Sequence, residues 1–248
     1  MDDNEWLGVY AGYDWKSFDF KYGVDGKSEI HFKRGNERGS TREFLDIKYL
    51  LEEKIGRKWV RRQISKEGFT YADEAGLVEE KVSVTATYTG NTQVEITHEF
   101  EEEELSIRAR IAGKETENEI RFSVSISVPH LWRNDAGEKI SERELKKKLE
   151  GAFVEAVRAK DGKKLKLGMW LETDLTDPEN FGEGASEVLL DIKRFSRRKT
   201  LISVENPDHG ALIPSNRGEH FYSGLKLTWL PDLQSLEKSD CVLKLSVK

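Results

Sequence analysis

The chain has 248 residues, 37% hydrophobic and 35% charged, with 46 acidic against 40 basic side chains and a formal charge of -6. These values suit a soluble domain with a sizeable core and argue against a protein that coats nucleic acid, and no apolar run approaches the roughly 20 residues needed to cross a bilayer. The start, Met1-Asp2-Asp3-Asn4-Glu5-Trp6, lacks the basic and apolar segments of a signal peptide, and the one cysteine, Cys241, leaves no intramolecular disulfide and no cysteine-built zinc site. The expected setting is reducing and cytoplasmic, with no nucleic-acid or membrane partner and no cofactor.

Period-two alternation, the spacing that sends successive side chains to opposite faces of a strand, dominates the chain. Phe18, Phe20 and Tyr22 alternate with Asp19 and Lys21, and Gly23-Val24-Asp25-Gly26 turns the chain toward Ser28 to Phe32. Residues 40 to 56 carry two patterns. Ser40 and Glu43 have capping-box spacing and Phe44, Ile47, Leu51 and Ile55 have helical spacing, while Leu45, Ile47, Tyr49 and Leu51 alternate. A long strand leading into Trp59-Val60 is the preferred reading. Val82, Val84 and Ala86 then pass through Thr89-Gly90-Asn91 to Val94, Ile96, His98 and Phe100, which predicts a hairpin. Leu105 to Ile111 and Ile120 to Val128 follow, and the four strands together predict an antiparallel meander.

At Ser141 the period changes. Ser141 and Glu144 form a capping box, Leu145 and Leu149 are four apart, and Gly151 is placed to end a short helix. Phe153, Glu155, Val157 and Ala159 resume the alternation, and Asp161-Gly162 can turn into Leu165, Leu167 and Met169. Strands are also expected at Val188 to Ile192, Leu201 to Val204, Leu225 to Trp229 and Val242 to Val247. With no repeat or linker, the expectation is one all-β domain over residues 1 to 248, a large antiparallel β-sandwich with one short helix and roughly twelve to sixteen strands.

Several residue groups carry potential chemistry. Aromatics crowd the first 22 residues, and Trp15, like Trp132, stands beside polar residues where it could line a cleft. Asp46-Ile47-Lys48 and Asp191-Ile192-Lys193, the latter with Asp177 upstream, have the composition of a nuclease metal site, but the same triplets describe any solvated strand face. Arg57 to Lys66 and Lys193 to Lys199 contain two basic clusters suited to an acidic saccharide if they met. The five histidines, His31, His98, His130, His209 and His220, lack metal-ligand spacing. His209, Arg217 and His220 fall in a glycine- and proline-punctuated stretch from 207 to 221, the expected wall of a site.

Val124-Ser125-Ile126-Ser127-Val128-Pro129-His130-Leu131-Trp132, Leu201-Ile202-Ser203-Val204-Glu205-Asn206-Pro207-Asp208 and the polar turn Ser235 to Asp240 before the last strand resemble the galactose mutarotase-like (aldose 1-epimerase) family. The resemblance implies a β-supersandwich in which His130 protonates a sugar ring oxygen and Glu205 removes the anomeric proton. Trp132, His209, Arg217, His220 and Trp15 would then surround a saccharide. The family's second histidine has no counterpart, since His98 lies in a strand without the expected glycines. Two readings follow: a carbohydrate-active isomerase, and a non-catalytic carbohydrate- or protein-binding β-sandwich that keeps the fold without the chemistry.

Overall fold

In the computed structural model, residues 6–7, 22–24, 30–34, 45–71, 81–101, 104–127, 140–148, 150–168, 183–191, 199–216, 225–238 and 241–248 are described. Its strands in chain order are β1 (Trp6–Leu7), β2 (Tyr22–Val24), β3 (Ile30–Arg34), β4 (Leu45–Ile55), β5 (Lys58–Arg62), β6 (Ile64–Tyr71), β7 (Lys81–Tyr88), β8 (Thr92–Glu101), β9 (Glu104–Gly113) and β10 (Ile120–Ser127). Helix α1 (Glu142–Lys148) intervenes, followed by β11 (Phe153–Arg158), β12 (Lys164–Gly168), β13 (Ala185–Asp191), β14 (Thr200–Val204), β15 (Leu212–Asn216) and β16 (Leu225–Trp229). Helix α2 (Leu233–Lys238) precedes β17 (Val242–Val247). The fold is all-β and every strand pairing among the described residues is antiparallel.

The pairings resolve into two facing sheets. In one, β4 takes β3 and β5 along one edge and β10 along the other, and β10 continues through β16 to β15. In the other, β6, β7, β8, β9, β17 and β14 are neighbours in that order. The sheets are joined on both sides. β13 carries β11 on one edge, and on its other edge β14 along most of its length and β15 at Ala185. Across the sandwich, β5 runs into β6 through Gln63, whose carbonyl accepts from the Thr89 N–H at 2.7 Å.

Register decides what lies between the sheets, because directly paired residues share a face. Tyr49, Val124, Trp229 and Leu212 form one inward row across β4, β10, β16 and β15. Opposite them lie His98 paired with Ile107, and Leu243 and Leu245 paired with Ile107 and Leu105. All are fully or nearly fully buried. Tyr49 lies parallel to Phe122 (centroids 6.4 Å apart, planes 12° apart) and meets the His98 ring edge-on. This is the aromatic geometry that adds to the gain from buried area.

The strand reading of residues 45 to 55 holds: alternation wins over helical spacing because β4 is paired along both edges. The hairpin at Thr89-Gly90-Asn91 is present with positive φ at Gly90 and Asn91. Helix α1 starts where the capping box lies, the Glu144 N–H reaching Ser141 Oγ at 3.3 Å, and the chain turns at Gly151 with φ +76°. The turn at Asp161-Gly162 joins β11 to β12.

Three expectations change. The four-strand meander ends after β9: β10 crosses to the other sheet, because both edges of β9 are filled by β8 and β17. In β11 the inward residues are Val154 and Ala156; Phe153 faces outward, where the Lys166 ammonium covers its ring at 3.8 Å. The second short helix, α2, falls on the stretch expected to be a polar turn.

Candidate functional site

The two expected site residues that lie in described structure, Glu205 and His209, fall where β14 hands over to β15. Pro207–His209 makes a single 3-10 turn here, with Pro207 fixing φ at its start and the Gly210 N–H closing on Pro207 O at 3.3 Å. The turn sits tightly against the end of β16. A Cβ on Gly210 would lie 2.6 Å from Leu230 O, and φ is +147°, so only glycine fits.

The turn is tied to α2 through Asp232. Asp232 caps the helix, accepting from the Ser235 N–H at 2.9 Å and the Ser235 hydroxyl at 2.7 Å. Its own N–H reaches His209 O at 2.9 Å, and its Oδ2 accepts from His209 Nδ1 at 3.1 Å. Burial pushes the Asp232 carboxyl up, but the Ser235 and His209 hydrogen bonds outweigh it and the net displacement is downward. The carboxylate therefore stays charged and holds the imidazole with Nδ1–H inward, leaving Nε2 as the acceptor of the neutral ring. Both side chains are nearly half exposed.

Glu205 and His209 converge on the start of β17. The Glu205 N–H bonds Val242 O at 3.0 Å, and the buried Cys241 thiol donates to His209 O at 3.4 Å. The Glu205 side chain follows the inward Val204 and so turns to the outer face, where Lys244 binds it at 2.8 Å and Glu104 at 2.9 Å. The Glu205 and Glu104 hydrogen bonds push Lys244 up to about 12. Lys244 thus stays cationic in neutral solution and occupies a Glu205 lone pair.

His130, Trp132, Arg217, His220 and Trp15 lie outside the described residues, as do Asp177 and Lys193. Asp191 is buried on the outer face and faces Lys199 at 3.5 Å. Among the described residues no three of His, Cys, Asp and Glu gather as metal ligands. His98 is a core residue: its Nε2 shares a 2.6 Å hydrogen bond with Tyr49 Oη, and burial holds its pKa down to about 3. Asp232 and Lys244 escape sequence reading because they stand 23 and 39 positions from their partners His209 and Glu205. Pro231-Asp232 with Ser235 three residues on is a helix-start signal that could have drawn attention to Asp232.

No family model matches the chain, and no curated protein matches it. Among solved structures it is similar to the Slr1438 protein from Synechocystis, at 12% identity and a TM-score of 0.44, over 100% of this chain and 96% of that one.

Proposed function

We propose that this chain is a carbohydrate-binding β-sandwich that holds a saccharide or sugar derivative beside the Pro207–His209 turn without transforming it. The observation that carries this reading is the pair of contrasting carboxylates there. Asp232 orients His209 and leaves its Nε2 and half of both side chains open to a ligand hydroxyl. Glu205, the base implied by the mutarotase-like resemblance, is bound by Lys244 on the outer face. A carboxylate whose lone pair is held by an ammonium serves hydrogen bonding better than proton abstraction. The competing reading, isomerase chemistry with His130 as acid and Glu205 as base, requires Lys244 to let go when sugar binds.

Calorimetry with a panel of neutral and acidic monosaccharides tests the binding, and polarimetry tests anomer interconversion, with the wild type, His209→Ala, Glu205→Gln and His130→Ala. Binding should weaken by roughly tenfold in His209→Ala, the loss of one ligand hydrogen bond, with no interconversion above the uncatalysed rate. Interconversion abolished by His130→Ala and Glu205→Gln would replace this reading with the isomerase. Absence of binding across the panel would remove the carbohydrate altogether.

A further inference from the structure

Strand β12 lies beyond β11 and pairs with it along one edge, from Val157 opposite Lys164 to Phe153 opposite Gly168. Among the described residues no strand lies along its other edge. The turn before it fixes which backbone groups that edge presents. The Arg158 N–H bonds Lys163 O at 3.0 Å, so the hydrogen-bonded pairs that follow are Ala156 with Leu165 and Val154 with Leu167. The N–H and C=O groups of Lys164 and Lys166 therefore point away from β11, along the open edge.

Directly paired residues share a face, and on β12 this separates apolar from basic side chains. Leu165 and Leu167 stand opposite the buried Ala156 and Val154, are half-buried, and pack against the core. Lys164 and Lys166 are exposed on the outer face, opposite Val157 and Glu155. Lys163 shares the leucines' side but precedes the strand. Neither Lys164 nor Lys166 makes an ion pair among the described residues. The Lys166 ammonium rests over the Phe153 ring at 3.8 Å and Lys199 approaches the same ring at 5.3 Å, so the ring offers no platform to a nucleobase. Glu155 is set back from the edge by one strand spacing, about 4.8 Å, so an acid beside β12 meets the lysines first.

We propose that the open edge of β12 receives, antiparallel to it, an extended segment of a partner protein in which acidic and apolar residues alternate. The guest residues directly opposite Lys164 and Lys166 are the acids: they lie on the outer face beside the two ammonium groups and exchange backbone hydrogen bonds with the lysines. The guest residues between them are apolar and cover the half-exposed sides of Leu165 and Leu167. Two copies of this chain do not join here, because their lysines would confront one another across the junction. The inference stands apart from the saccharide reading and does not depend on it.

The probe is a capped octapeptide of alternating Glu and Val, with a Lys-Val octapeptide as its opposite, titrated into the full chain by calorimetry and followed by amide hydrogen exchange in NMR spectra. The Glu-Val peptide should bind and slow exchange at the amides of Lys164 and Lys166, leaving those of Leu165 and Leu167, already bonded to β11, unchanged. N-methylation of its Glu residues should abolish binding and N-methylation of its Val residues should preserve it, because only the Glu amides face β12. Lys164→Glu, at an exposed site without an ion pair among the described residues, should lower the affinity about tenfold at unchanged thermal stability, while the Lys-Val peptide gains affinity. The proposal is overturned if the Glu-Val peptide fails to bind, if the Lys164 and Lys166 amides are as protected before it is added as after, or if methylation at Glu or the charge reversal leaves its affinity unchanged. It is equally overturned if a single-stranded oligonucleotide or phosphatidylserine vesicles bind this edge more tightly than the peptide, or if sedimentation shows the chain dimerising through it.

Discussion

Replacing Glu53 by Gln keeps the shape of the side chain and removes its charge. Glu53 is inward-facing and 4% exposed, at the end of β4 where the core gives way to the hairpin. Its Oε1 accepts from Thr116 and Asn118 at 2.6 Å each, and its Oε2 from Arg62 at 2.6 and 2.5 Å. The hydrogen bonds from Thr116 and Asn118, with Arg62 behind them, lower its pKa from 4.5 to about 2. That interval corresponds to about 3 kcal/mol at full strength. The site lies at the rim and Arg62 is 24% exposed, so water screens the charge and about 1–2 kcal/mol is the expected cost of Glu53→Gln at neutral pH. The carboxyl is more acidic folded than unfolded, so its contribution is complete above about pH 4.5 and disappears as pH falls toward 2. Urea unfolding of wild type and variant at pH 7, 4.5 and 3 should show the difference narrowing between the last two values. A difference that stays constant down to pH 3 would refute the argument, because the charge would then contribute nothing. Glu53→Ala should cost more, about 3 kcal/mol, since it strands Arg62, Thr116 and Asn118 without an acceptor.

The buried His98 makes the protein acid-sensitive over a different range: its pKa is about 3 folded against 6.5 when exposed, so stability should fall as pH drops from 6.5 to 3, by up to about 1.4 kcal/mol per unit. His98→Gln should remove that slope, and parallel stability-pH curves for the two proteins would contradict a neutral His98. Gly210→Ala, which forces a Cβ to within 2.6 Å of Leu230 O, should destabilise by about 2–4 kcal/mol and release His209 from Asp232, read as a lower melting temperature and displaced His209 ring resonances in NMR spectra; an unchanged melting temperature would mean the turn yields freely.

What is local in this fold shows in the sequence, and what joins distant segments does not. Alternation located β4, β8 and β9 because each buries one face and a half-buried strand writes its period into the chain, whereas β13, β14 and β17 showed only as short apolar runs. Pairing carries no such signature. Nothing within Leu105 to Ile111 says that its second neighbour is Val242 to Ser246 rather than Ile120 to Ser127; that choice is settled by which edges remain open once both sheets have formed. The phase of β11 misled because Phe153 is apolar yet outward, its ring covered by lysine rather than by core. Helix α2 was hidden by its length, since six residues leave room for hardly one repeat of a helical pattern. At the candidate site the same division holds. Glu205 and His209 stand next to strand-end signals and were legible, whereas the groups that set their behaviour, Lys244 and Asp232, come from β17 and the cap of α2.

The position of β17 bears on how such a chain acquires its fold. This strand is the seam between β9 and β14, with Leu243 and Leu245 bridging Ile107 and Leu105 on one side and Val204 and Ile202 on the other. During synthesis β9 exists long before β17, so its apolar edge waits for more than a hundred further residues before it can be closed. Sequence-distant pairings of this kind slow folding and leave intermediates with an open strand edge. Glu104 opens β9 at the head of that waiting edge, and Lys244 of the arriving strand pairs with it. An edge that opens on a carboxylate is a poorer template for another unfinished chain, while the one lysine brought by β17 finds its counterpart in place.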